Sequence, residues 1–202
     1  MEKKVSRIRH HVNPLADRTE HLFAGFGNKK PIIVDVGADR GEFTEQLLEK
    51  FGNTKNFIVF EIRRPLAQKL KEKFKINENV VVFDGDANRN FSRIMKPCID
   101  AGGHIEEVYI NFPDPWVKER QKKRRFLNEK FLKEIRTNIS TETKWIFQTD
   151  HKQLFDETAL LLQKNDIRKI DYFSEPPYGF TTKWEDAKIK EGKGIYRLLF
   201  YL

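Results

Sequence analysis

The chain has 202 residues and a formal net charge of +8, which is long enough for one domain with a full core and basic enough to favour a polyanionic partner. Seventeen phenylalanines exclude a disordered chain, and no apolar run approaches the ~20 residues that span a bilayer. A single cysteine, Cys98, excludes an internal disulfide framework, and the N-terminus lacks the apolar stretch of a signal peptide. The expectation is a cytoplasmic protein with no membrane partner.

Residues 1–30 read as an N-terminal arm ahead of a single domain over residues 31–202. In the arm, Arg7, Arg9, His10, His11 and Arg18 are candidate RNA contacts, and a chain end without fixed structure is the alternative. After Pro31, Ile32 to Val36 is an apolar run that predicts a buried strand. Residues 42–51 carry helical spacing at Phe43, Leu47, Leu48 and Phe51, with Gly52 as a stop. Residues 57–61 predict a second strand, residues 65–74 a second helix with Pro65 in its first turn, and residues 80–83 a third strand. Residues 108–112 follow as the fourth strand, 126–135 as a helix, 145–148 as a strand and 153–162 as a helix. Residues 167–172 and 195–201 are the last strands, joined by a loop over residues 174–193 in which no helix is evident. Seven strands with interleaved helices predict an α/β fold. Its sheet is mostly parallel, with helices on both faces and an antiparallel hairpin at one edge.

Ligands of open α/β sheets bind outside the carboxyl ends of the strands. The first strand ends in Asp35-Val36-Gly37-Ala38-Asp39-Arg40-Gly41, where Gly37 and Gly41 permit a tight turn and close backbone approach. Glu61 ends the second strand, a placing suited to ribose hydroxyls. The G-x-G-x-x-G fingerprint of dinucleotide binding is missing, because Asp39 stands in place of its second glycine. A pyrophosphate here would face Asp35, Asp39, Glu61 and Asp86, a poor nest for an anion. The same carboxylates suit a sulfonium, an ammonium and ribose hydroxyls. The loop therefore predicts S-adenosylmethionine rather than a nicotinamide cofactor, held by Asp35, Gly37, Gly41, Glu61 and Asp86. Helix capping or an ordinary turn is the simpler role open to some of these acids, Asp39 above all. The five histidines show no metal-ligand spacing, so no metal is expected.

The fourth strand runs into Asn111-Phe112-Pro113-Asp114-Pro115-Trp116, then into residues 118–125, where six basic residues less Glu119 net +5. Pro113 and Pro115 fix their own φ and restrict the residues before them, so Asp114 is presented on a stiff segment at low entropic cost. At a strand end it should project into the cofactor crevice. Methylation of a guanine N7 needs alignment and a matched field, and it leaves the base cationic, a charge that a carboxylate stabilises. Asp114 is thus the candidate catalytic residue and a further cofactor contact. Trp116 suits stacking on a base or packing of the loop. Lys118 should reach a phosphate or base edge. The basic run predicts salt-dependent RNA binding, with a solvated helix face as the alternative.

At these residues the chain closely resembles the bacterial-type tRNA (guanine-N7)-methyltransferases, the TrmB-like family. Residues 111–126 resemble that family's F-P-D-P-W-P-K-K-R-H-x-K-R-R-L signature, and Asp35 to Gly41 its E-I-G-x-G-x-G loop. Phe147-Gln148-Thr149-Asp150 resembles its strand ending in Thr-Asp, and Thr182-Lys183-Trp184-Glu185 its T-K-F-E motif. The resemblance covers about residues 31–202, with the motifs in the same order. It implies a Rossmann-like methyltransferase domain that uses S-adenosylmethionine on a guanine in the tRNA variable loop. By position it implies Asp35, Glu61, Asp86 and Asp114 at the cofactor, and Lys118, Asp150, Thr182, Lys183, Trp184 and Glu185 at the guanine and tRNA. Some positions depart from the family pattern. Asp35 replaces Glu, Asp39 a glycine, Val117 a proline and Trp184 a Phe, and Asp186-Ala187-Lys188 stands where arginines are usual.

Other readings fit the same residues. One is a protein that keeps the fold and binds RNA but has lost transfer through Asp39. Another is methylation of a different nucleic acid or of a small molecule. A nicotinamide-dependent reductase is disfavoured by the acid-lined loop. Monomer and homodimer are both compatible with the sequence, which shows no obligate protein partner.

Overall fold

A computed structural model describes residues 12–167 and 170–202; Arg7, Arg9, His10 and His11 lie outside the described residues. Five strands run parallel: β1 (Ile32–Val36), β2 (Asn56–Glu61), β3 (Val80–Asp84), β4 (Ile105–Asn111) and β5 (Lys144–Thr149). Each is followed by a helix: α1 (Glu42–Phe51), α2 (Arg64–Lys73), α3 (Ala87–Asp100), α4 (Glu129–Ile135) and α5 (Lys152–Lys164). β6 (Ile170–Phe173) forms one edge of the sheet. After α6 (Lys183–Lys190), β7 (Tyr196–Phe200) inserts between β5 and β6, antiparallel to both. The sheet order is β3-β2-β1-β4-β5-β7-β6.

Every residue of β1 and β2 is buried, as expected of central parallel strands covered on both faces. The alternation of each strand divides the core. Val34, Ile58, Val108, Ile110, Trp145, Phe147 and Leu198 pack toward α3, α4 and α5. Ile33, Phe57, Tyr109 and Ile146 pack toward α1, and Val59 and Val82 toward α2. Strand order reverses between β1 and β4, which opens a crevice at their carboxyl ends.

Two helices are not evident in the sequence. In α3 the buried stripe Ala87, Phe91, Ile94, Met95 and Cys98 is interleaved with weak helix formers, and Pro97 stands in the last turns. α6 buries one residue, the charged Glu185, so it carries no apolar period. Its start is nevertheless written in the sequence. Thr182 Oγ1 accepts from the Glu185 amide at 3.2 Å, the spacing of a capping box.

Within residues 12–30 the chain lies along α3 and the end of β3. Glu20 pairs with Arg93 at 2.8 Å. The buried Asn90 donates to the Thr19 carbonyl at 2.9 Å and accepts from the His21 amide at 3.1 Å. Phe23 and Phe26 pack against the core. Arg18 donates to the Leu15 carbonyl at 3.1 Å.

Candidate active site

The loop after β1 is built from backbone geometry. The Gly37 and Ala38 amides donate to the Phe60 carbonyl at 2.9 and 3.0 Å, which holds the turn against β2. Gly37 has φ +83°, and a Cβ there would meet nothing within 4 Å, so the turn faces open space. Gly41 has φ +78° and caps α1, and a Cβ would come within 2.7 Å of Leu70 Cδ2. The departure at Asp39 is accommodated. Its φ of +51° is the left-handed conformation that glycine favours, one that aspartate tolerates better than most residues. Its carboxylate pairs with Arg63 at 2.8 Å.

Asp35 is buried and accepts from Thr44 Oγ1 at 2.7 Å. Burial raises its pKa to about 6, opposed by the Thr44 bond and reinforced by the charge of Glu61. Glu61, 1% exposed, accepts from the Asp39 amide at 2.9 Å and the Arg63 amide at 2.8 Å. The Arg63 guanidinium adds two bonds of 2.9 Å, one to each oxygen. Hydroxyls of a ribose would therefore compete with Arg63 for Glu61. Asp86 caps α3, its side chain accepting from the Asn88 amide at 3.3 Å. Burial raises it to about 6, against the Asn88 bond and with the charge of Asp17 adding.

The acid-proline segment carries two left-handed residues, Phe112 at φ +49° and Trp116 at φ +40°. They bracket Pro113-Asp114-Pro115, so the backbone bends sharply on both sides of the acid at a conformational cost of about 1–2 kcal/mol per residue. Two bonds hold it. The Phe112 amide donates to the Gln148 carbonyl at 2.8 Å, and Arg125 Nε donates to the Pro115 carbonyl at 3.0 Å. Arg125 also pairs with Glu157 at 2.6 Å. The Arg124 guanidinium lies 4.9 Å from the Trp116 ring centre. Beyond Trp116 the basic run forms a 3-10 turn, Glu119–Arg124. Its cations divide into two groups. Lys122 and Arg125 pair with Glu157 and Arg124 covers Trp116, whereas Lys118, Arg120 and Lys123 are exposed.

The two remaining motifs meet on the other side of β4. Asp150 follows β5 and lies 3.6 Å from Lys193 Nζ. It does not cap α5, because the cap is His151, whose ring accepts from the Leu154 amide at 3.3 Å. Lys183 is tied to α1 by a 2.8 Å ion pair with Glu42. Trp184 is exposed beneath the Lys188 ammonium, 4.5 Å from its ring centre. Glu185 is turned inward, 1% exposed, and pairs with the buried Arg197. Arg197 Nε donates to Gln148 Oε1 at 2.7 Å, and Gln148 Nε2 donates to Asn111 Oδ1 at 2.6 Å. The motifs of β4, β5 and α6 are thus joined by one chain of polar bonds, buried at Gln148, Arg197 and Glu185. Arg197 and Asp17 carry no motif in the sequence. Gln148 lies within the Phe147-to-Asp150 motif, but the sequence assigned it no role of its own.

The sheet order is that of the SAM-dependent methyltransferase fold. Solved structures with this fold include an antibiotic-related methyltransferase (TM-score 0.57, 14% identity, covering 88% of this chain and 90% of that one). Another is a SAM-dependent methyltransferase from Aquifex aeolicus (TM-score 0.52, 14% identity, 87% and 84% covered). The family model described as "Putative methyltransferase" matches residues 29–198. A tRNA (guanine-N(7)-)-methyltransferase of Prochlorococcus marinus strain NATL1A is 31% identical over 213 residues, 96% of each chain. One from Alkaliphilus metalliredigens is 30% identical over 192 residues, covering 89% of this chain and 85% of its own. The chain belongs to the tRNA (guanine-N7)-methyltransferase family.

Proposed function

We propose that the protein transfers the methyl group of S-adenosylmethionine to N7 of a guanine in the tRNA variable loop, in the cytoplasm. The observation that carries this is the adjacency of two segments in a chain of this family. The buried carboxylate of Asp35 stands one residue before the end of β1, and the bent Asp114 segment follows β4, the strand paired with it at the sheet's switch point. An acid-lined turn with open space above Gly37 fits a cationic donor better than a pyrophosphate. When bound, S-adenosylmethionine supplies an electrophilic methyl carried by a good leaving group.

The chain's own residues then bind and orient. Asp35 and Asp86 hold the amino acid and base ends of the cofactor, Gly37 and Gly41 let the backbone approach it, and Glu61 takes the ribose once Arg63 yields. Asp114 stands beside the guanine, where its charge offsets the positive charge that grows on the base as N7 takes the methyl. The guanine lone pair is the nucleophile, so no side chain has to remove a proton before transfer. Lys118 and Asp150, with Thr182 to Glu185, line the base and backbone side. Lys118, Arg120 and Lys123 face the phosphates.

The test is transfer from labelled S-adenosylmethionine to unmodified tRNA, with the digest resolved for N7-methylguanine and its position. Label in N7-methylguanine of the variable loop supports the reading. A folded protein that binds tRNA but transfers nothing to it overturns the reading in favour of a binding protein.

A further inference from the structure

Asn111, Gln148 and Arg197 form one cross-strand row. Asn111 pairs with Gln148 across β4 and β5, and Gln148 with Arg197 across β5 and β7. Asn111 also follows directly on the Val36–Ile110 pair, beside the Gly37 turn. The row thus runs from the cofactor loop to α6, where Arg197 meets Glu185.

The row fixes the direction of every amide in it. Arg197 can only donate, and its three nitrogens are used on Gln148, the Ser174 carbonyl and Glu185. The Gln148 atom facing Nε is therefore its oxygen, which leaves its NH2 to face Asn111. Asn111 must answer with its own oxygen, and its NH2 is left over. That Nδ2 is buried without a hydrogen-bond partner among the described residues, a costly state unless a ligand completes it. At the far end, Glu185 Oε2 is likewise buried and without a partner.

We infer that Asn111 is the specificity-determining residue for the target base, donating from Nδ2 to guanine O6, and that Gln148 and Arg197 are positioning residues acting through it. This rests on the reading of the substrate as a guanine methylated at N7. Guanine and adenine both present N7, but beside it guanine shows the acceptor O6 and adenine a donor amine. An unrestrained asparagine reads adenine, with its oxygen on the amine and its nitrogen on N7. Here the oxygen is already engaged by Gln148, so a donor alone faces the base. That donor matches O6 and leaves N7 clear for the methyl.

The experiment uses the full-length enzyme and a tRNA that the wild type methylates at one guanine. The tRNA is rebuilt with hypoxanthine, which keeps O6 and N7, or with 2,6-diaminopurine, which replaces O6 by an amine and keeps N7. Wild type should accept hypoxanthine and lose at least ~10-fold in kcat/KM on diaminopurine, within the range of one mismatched base contact. Asn111→Asp turns the donor into an acceptor and should invert the guanine-to-diaminopurine preference, with the KM for S-adenosylmethionine unchanged. Gln148→Glu should invert it too, because a carboxylate at 148 takes the Asn111 NH2 and turns its oxygen toward the base. A purely structural role would lower both substrates together. Equal transfer by the wild type to guanine and diaminopurine overturns the inference without any variant. So does an unchanged preference in either folded variant while the wild type still methylates guanine. Failure of the wild type to methylate any guanine N7 removes the proposed function itself.

Discussion

The backbone amide of Asp86 donates to the carboxylate of Asp17 at 2.7 Å, so a residue ahead of β1 closes on the residue that caps α3. The contact is tight. A Cβ at Gly85, φ +111°, would stand 2.8 Å from Asp17 Oδ2 and 3.0 Å from Thr19 Cβ. Asp17 also accepts from Thr19 Oγ1 at 2.8 Å, and the Asp86 and Thr19 bonds hold it below the usual carboxylate range despite its partial burial. Two acids therefore share the end of β3, and one of them belongs to the proposed cofactor site.

This pair sets a pH dependence. Asp86 titrates near about 6 because it is buried and because Asp17 lies beside it. Cofactor affinity should weaken as pH falls through that value and Asp86 takes a proton. Asp17→Asn keeps an acceptor for the Asp86 amide but removes the charge. Calorimetric titrations with S-adenosylmethionine from about pH 5 to pH 8 should show the Asp86 inflection moved to lower pH. Asp35, which titrates in the same range, should stay in place. An unmoved profile would show that Asp17 does not govern Asp86.

Asp35 gives a prediction on stability. An unfolded aspartate titrates near about 3.9, and Asp35 in the fold near about 6. Between those values the unfolded chain has shed its proton while the folded chain still holds one. Stability therefore falls as pH rises through this window, and the full cost, of order 2–3 kcal/mol, is present above it. Asp35→Asn should match the wild type near pH 4 and exceed it by about 1–3 kcal/mol near pH 7, read from urea midpoints, while losing cofactor affinity. A variant no more stable than wild type at neutral pH would contradict the claim that this carboxylate is held at a cost for binding.

For Asp114 the expected effect is kinetic. Asp114→Ala should lower turnover by at least ~10² while leaving tRNA affinity largely intact, as for the loss of one electrostatic contact to the transition state. Single-turnover transfer and filter binding at one salt concentration separate the two effects. Near-normal turnover would remove Asp114 from its role.

The basic run should separate by partner. Replacing the exposed Lys118, Arg120 and Lys123 by Ala should flatten the salt dependence of tRNA binding, each phosphate contact accounting for about 0.7–0.9 of the log–log slope. Arg125→Ala should act mainly on the fold. It removes the Pro115 tether and the 2.6 Å bond to Glu157, whose carboxyl Lys122, Gln153 and Arg125 together hold down at about 2. A fall in melting temperature with little change in salt slope is the expected result. A lost slope with an unchanged melting temperature would assign Arg125 to the tRNA instead.

The strands of this fold were legible because each central one carries a run of at least three apolar residues, and their predicted bounds fall within a few residues of the observed ones. α3 and α6 were not, for opposite reasons. α3 has an apolar stripe diluted by asparagines and a proline, whereas α6 has a cap and no stripe. The tetrapeptide Thr182-Lys183-Trp184-Glu185 reads as a set of substrate contacts in sequence. In the fold it is also the first turn of a helix, with Glu185 facing inward to Arg197.

By itself the sequence determined the alternation of strands and helices, the acid-lined turn at the end of β1 and the bracketed acid at the end of β4. These are local matters of apolar period, glycine freedom and proline restriction. Only the tertiary structure decided which charges are available. It paired Glu61 with Arg63, Glu157 with Lys122 and Arg125, and Glu185 with Arg197. It also laid Asn111, Gln148 and Arg197 in one row across three strands. Those partners stand far apart in the chain or carry no motif. Burial forces each polar atom to find a partner, and which partner it finds depends on strand order and register.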